Sequence, residues 1–185
     1  GAAVWSAGHD LRELPLDGRD PVAWDAPLER LLAAVRAHPV PVIGAIEGSV
    51  WGGACDLAMT LDLLVGTPTA SFALTPARLG MPYNPAGLCH FLGVLPLHVV
   101  KEMIFTADPL PAEDALRYGL LNRLVEPERL TATACDLVRR IAGRAPLAIR
   151  VFKAAMASLA SGPALTPATF ERLQALRQEA LGSRD

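Results

Sequence analysis

Leu28, Leu31, Leu32 and Val35 stand at i, i+3, i+4 and i+7, a spacing that predicts a helix from Asp25, ended by Pro39 and Pro41. The preceding Leu14–Pro27 is rich in proline, aspartate and glycine and is expected to be a loop. Beyond the helix, the apolar and β-branched run Val40–Ile46 predicts a buried strand. Gly48, Gly52 and Gly53 then interrupt the chain, and Ala54–Thr60 returns to good helix formers. Leu61–Val65 and Ser71–Leu74 read as two more short strands. Thr75-Pro76 looks like a helix start with proline in the first position, good for a turn or two before Gly80, and Met81–Pro85 is turn-rich. Helices are expected at Leu97–Thr106, Pro111–Tyr118 closed by Gly119, Glu128–Ala142, Pro146–Ala160 and Thr166–Leu181. Strands early and helices late predict a mixed α/β core over residues 1–126 and a helical region over 127–185. That region is too apolar to bury itself alone, so it is expected to pack on the core or on another subunit.

Composition narrows the function classes. Of 185 residues, 51% are hydrophobic and 19% charged, enough apolar material for a real core. A net charge of −2 offers no basic excess for phosphate backbones, so nucleic acid is not an expected partner. The three cysteines, Cys55, Cys89 and Cys135, are far apart and form no C-x-x-C pair, which suits a reducing compartment. No apolar run approaches the roughly 18 residues of a membrane span, and charged residues occupy the N-terminal stretch where a secretory signal would be apolar. The expected location is cytoplasmic, without a membrane partner. The chain opens at Gly1 without an initiator methionine, and the expectation is a processed, tagged or partial sequence.

Several familiar motifs fail on inspection. Glu47 stands where a nucleophile elbow around Ser49 needs glycine, and neither G-x-G-x-x-G nor G-K-[ST] occurs. Cys89, His90 and His98 lack zinc-site spacing, and a core cysteine beside a partly buried histidine is the expectation there. His38, at a helix end, suits a favourable contact with the helix dipole.

Two glycine-bearing segments survive: Ser6-Ala7-Gly8-His9-Asp10, and Glu47-Gly48-Ser49-Val50-Trp51-Gly52-Gly53-Ala54-Cys55-Asp56. The second runs through a glycine turn into a helix, whose first N–H groups have no intrahelical partner and lie at the positive end of its dipole. Two such donors converging from separate loops would form an oxyanion hole. Together the segments resemble the S/C-A-G-x-D loop and the G-x-x-x-G-G-x-x-[ED] turn of the crotonase superfamily, the enoyl-CoA hydratase/isomerase family. The resemblance implies a spiral core of ββα turns with a C-terminal helical trimerisation region. By comparison with the family, the N-terminal strands and the last helix are missing from this sequence.

The resemblance also implies roles. The peptide N–H groups of His9 and Gly53 would hold the thioester carbonyl of an acyl-CoA, while Ala7, Gly8, Asp10 and Leu11 would line the groove for the CoA arm. Hydratases of the family use two glutamates, for which this chain has Asp56 and Pro76. Proline does no acid–base chemistry, so ordinary water addition is not expected. Thr75-Pro76-Ala77-Arg78-Leu79-Gly80-Met81-Pro82-Tyr83-Asn84 and the tryptophan in the glycine turn are instead similar to the methylmalonyl-CoA decarboxylases of the superfamily. That similarity makes Tyr83 a catalytic candidate and Thr75 a substrate-binding one. It implies decarboxylation of methylmalonyl-CoA, or a related malonyl-type thioester, to propionyl-CoA. It also implies no cofactor or metal, CoA being part of the substrate, and a homotrimer or dimer of trimers. Two alternatives stay open: a hydratase/isomerase-type activity, and a truncated, non-catalytic crotonase-like subunit.

Overall fold

The computed structural model describes residues 3–13, 21–80, 83, 85–160, 171–172 and 174–175. Helix α1 (Pro21–Ala37) begins before the predicted Asp25, so the end of the expected loop is helical. Pro21 costs nothing at the helix start, where its missing N–H would have no partner. Pro27 does sit inside the helix and removes one hydrogen bond, against its propensity. Packing decides the matter: Leu32 is fully buried, and α1 lies on the next helix, α2 (Gly53–Thr60).

The strand expected over Val40–Ile46 is only Ile43–Ile46 (β2). Pro41 offers no donor, and the Val42 N–H turns to Asp62 Oδ2 at 2.6 Å. Lys153 accounts for neighbouring acceptors, donating to Val35 O, Val40 O and Asp62 Oδ2 at 3.2, 3.0 and 2.7 Å. The end of α1 is thus stitched to a helix more than a hundred residues later.

Two strands are joined by Glu47 and Gly48 yet enter different sheets. β2 pairs in parallel with β4 (Leu63–Gly66), and β4 with the two-residue β7 (Arg123–Leu124). β3 (Ser49–Trp51) lies between β1 (Val4–Ser6) and β5 (Ser71–Ala73), parallel to both; β6 (Leu110–Pro111) closes that sheet antiparallel to β5. One strand to each sheet and then a helix is the ββα spiral that the resemblance implies. Trp5 Nε1 ties the sheets together by donating to Ala45 O at 3.0 Å. β1 and β3 went unpredicted because three residues beside glycines carry no readable alternation. The core between these layers includes Val50, Cys55, Leu64, Phe72 and Phe91, all buried.

Helix α3 (Pro85–Val94) was not expected either. It is apolar nearly all round and holds Gly87 and Gly93, so it shows no helical stripe, although Leu92, Gly93 and Val94 are exposed. Cys89 on α3 is exposed, which corrects its expected place in the core. Helices α4 (Leu97–Thr106), α5 (Ala112–Arg117), α6 (Pro127–Ala142) and α7 (Pro146–Ala160) follow their predictions closely, although Pro111 belongs to β6. Helix α6 packs against β2 and β4. Phe105 on α4 and Phe152, Met156 and Leu159 on α7 remain exposed. Most of the helix expected at Thr166–Leu181, and Met81, Pro82 and Asn84, lie outside the described residues.

Candidate active site

The two glycine-bearing segments meet. Gly8 follows β1 with φ of +81°, a conformation open to glycine and strained for other residues. A methyl group on Gly8 would overlap the Trp51 carbonyl oxygen and stand 3.2 Å from Gly53 N. The first loop therefore touches the entrance of α2 backbone to backbone, and only glycine allows it. Gly52 turns the chain at φ 52° and ψ −122°, donating its N–H to Ala73 O of β5 at 2.9 Å. That anchor leaves Gly53 as the first residue of α2, with an N–H that no acceptor within the helix can satisfy.

The His9 imidazole lies over Gly53, since a methyl group there would stand 2.8 Å from His9 Nδ1. A cleft of about 290 Å³ opens beside the pair, lined by Ser6, Gly8, His9, Pro27, Leu28, Leu31, Gly53, Ala54 and Leu57. Its wall is largely apolar, with peptide groups supplying the polarity, as suits a site that orients a ligand through backbone donors.

Of the expected contact residues, Gly8, His9 and Gly53 line this cleft, whereas Ala7, Asp10, Leu11 and Thr75 do not. Ala7 and Leu11 are exposed. Asp10 faces Arg12, whose Nε and Nη2 donate to its carboxylate, and this pairing holds the Asp10 carboxyl below its ordinary range. Thr75 accepts the Arg78 N–H with its backbone oxygen and precedes a 3-10 turn; its side chain makes no cap.

Tyr83 reaches the same turn from another direction. Its hydroxyl donates to Gly52 O at a long 3.4 Å, and its ring packs on Phe91 with centroids 5.0 Å apart. Burial first, and then the Asp56 carboxylate, push its phenol far above the ordinary tyrosine value. It stands at the Gly52–Gly53 turn as a neutral donor. Burial likewise pushes the Cys55 thiol up, so Cys55 is a core residue and no nucleophile.

A polar group missed in the sequence adjoins Tyr83. Asp56, only 2% exposed, lies on α2 with Oδ1 2.5 Å from His90 Nδ1 of α3, and His90 Nε2 is 2.8 Å from Arg36 Nη1 of α1. These residues come from three helices separated by other elements, so no local spacing could reveal them. Among the described residues no three His, Cys, Asp or Glu side chains cluster as metal ligands, and no helix is long and apolar enough to cross a membrane.

The chain is similar to known proteins in sequence and fold. Methylmalonyl-CoA decarboxylase of Escherichia coli (strain K12) is 41% identical over all 185 residues, which span 71% of its length. Carnitinyl-CoA dehydratase of Salmonella typhi is 37% identical over 154 residues, 83% of this chain and 59% of the dehydratase. A solved structure of methylmalonyl-CoA decarboxylase complexed with 2S-carboxypropyl CoA superposes with a TM-score of 0.84 at 41% identity, covering 100% of this chain and 71% of that one. The human enoyl coenzyme A hydratase domain-containing protein 3 gives 0.85 at 28% identity, covering 100% and 72%. With residues 1–179 also matching the pattern of that family, the chain belongs to the enoyl-CoA hydratase/isomerase family and has its crotonase fold.

Proposed function

We propose that the protein is a CoA-thioester carboxy-lyase that converts methylmalonyl-CoA, or a related malonyl-type thioester, to propionyl-CoA. The observation that carries this reading is the meeting of Gly8, His9, Gly53 and Tyr83 around one helix entrance. The thioester oxygen accepts from the His9 and Gly53 peptide N–H groups. The bond between the α-carbon and the carboxylate then breaks, its electron pair forms the thioester enolate, and CO2 departs. Donors fixed before the reaction stabilise that developing charge without reorganising. The Tyr83 hydroxyl, bound only weakly to Gly52 O, is available to hold the departing carboxylate out of the thioester plane, where the breaking bond overlaps the carbonyl π-system. A proton added to the α-carbon completes propionyl-CoA.

Water addition fits poorly. The first acid position is Asp56, buried and engaged by His90; the second is Pro76. The exposed Phe105, Phe152, Met156 and Leu159 support the further reading that the protein assembles as a trimer or a dimer of trimers.

The deciding experiment incubates the protein with methylmalonyl-CoA and, separately, with crotonyl-CoA. Release of CO2 from the first without loss of the double bond from the second is expected. Hydration of crotonyl-CoA without CO2 release would replace the reading with a hydratase. Binding of both without turnover would leave a non-catalytic subunit.

A further inference from the structure

Arg36, His90 and Asp56 form a chain whose proton positions follow from chemistry. A guanidinium only donates, so the 2.8 Å contact from Arg36 Nη1 requires a lone pair on His90 Nε2. The ring proton then lies on Nδ1 and is donated to Asp56 Oδ1 at 2.5 Å. A protonated His90 would turn a second N–H against the guanidinium. Around this ring, α1 presents Arg36, α2 presents Asp56 with Cys55 beneath it, and Tyr83 precedes α3. Asp25 and Glu29 of α1 also act on Tyr83.

The far oxygen of Asp56 is part of the Tyr83 pocket. A methyl group on Gly87 would overlap Tyr83 Cε1 and stand 2.6 Å from Asp56 Oδ2. The missing side chain at Gly87 thus lets carboxylate and phenol ring share one wall, and Phe91 holds the ring from a second direction.

We infer that His90 and Arg36 are positioning residues for Tyr83: they fix the Asp56 carboxylate against which the phenol rests, with His90 locked as its neutral Nδ1–H tautomer. The kinetic consequence rests on the decarboxylase reading; the tautomer and the ring position do not. Gln at position 90 can donate to Asp56 and accept from Arg36 as neutral histidine does, whereas leucine can do neither.

The test uses the whole protein with 15N-labelled histidine and 13C-labelled tyrosine. His90, identified by its loss in His90→Gln, should carry its proton on Nδ1. Arg36→Met removes the donor that requires a lone pair on Nε2 and should let the Nε2–H tautomer appear. His90→Leu should shift the Tyr83 ring signals and lower kcat on the order of 10- to 100-fold, with propionyl-CoA affinity within about twofold of the parent. His90→Gln should retain both ring signals and turnover. An Nε2–H tautomer in the parent, or unchanged Tyr83 signals in His90→Leu, would each overturn the inference. If the parent releases no CO2, the decarboxylase reading fails, and the two spectroscopic outcomes still decide the inference.

Discussion

Gly8→Ala tests whether the contact between the first loop and the α2 entrance makes the oxyanion site. At φ +81° an alanine carries backbone strain of roughly 1–2 kcal/mol. Its methyl group would also lie less than 3.0 Å from the Trp51 carbonyl oxygen, at the end of β3, where a paired strand resists displacement. Overpacking of that kind adds about 1–3 kcal/mol. With a Tm change of about 2–4 °C per kcal/mol for a chain of this size, Tm should fall by roughly 4–20 °C. The overlap is relieved by parting the two loops, which displaces the His9 donor from the Gly53 donor and should lower kcat about 100-fold. Gly119→Ala is the matched control: its φ is +85°, but a methyl group there meets nothing within 4 Å. It should show the backbone strain alone and keep the parent kcat. The assay pairs thermal melting with CO2 release from methylmalonyl-CoA. A Gly8→Ala protein that melts like Gly119→Ala and turns over like the parent would refute the reasoning.

Tyr83→Phe removes the proposed grip on a carboxylate while keeping the ring, so kcat should fall about 10- to 100-fold, the worth of a hydrogen bond to a charged group. Propionyl-CoA, which has no carboxylate, should bind as before by calorimetry. Lys153→Met removes one donor from Asp62, Val35 O and Val40 O, each of which keeps a second partner, so unfolding should become easier by about 1–3 kcal/mol in urea titrations. The Tyr83 phenol is raised in the folded state, so above its unfolded value of about 10 the unfolded chain binds fewer protons and stability falls as pH rises. Tyr83→Phe should flatten that decline in melts between pH 9 and 11. Among the thiols, Cys89 and Cys135 should react with a disulfide reagent in the native protein, and buried Cys55 only on unfolding.

Periodicity placed α1, α4, α6 and α7 because each carries a local apolar stripe, and the glycine pattern located the turn into α2 because a backbone reversal demands particular residues at particular places. Family likeness then pointed to His9, Gly53 and Tyr83, and all three converge on that turn. The sequence could not place α3, whose apolar residues run all round and leave no stripe, or β6 and β7, two-residue strands that exist only through their partners. It also could not show that Asp10 turns to Arg12, outside the cleft. Most of all, the Arg36–His90–Asp56 chain belongs to tertiary structure alone. Backbone turns and helical stripes are local in physical origin and leave a local record. A buried carboxylate finds its donor only after three helices pack, and nothing in the spacing of those residues announces it.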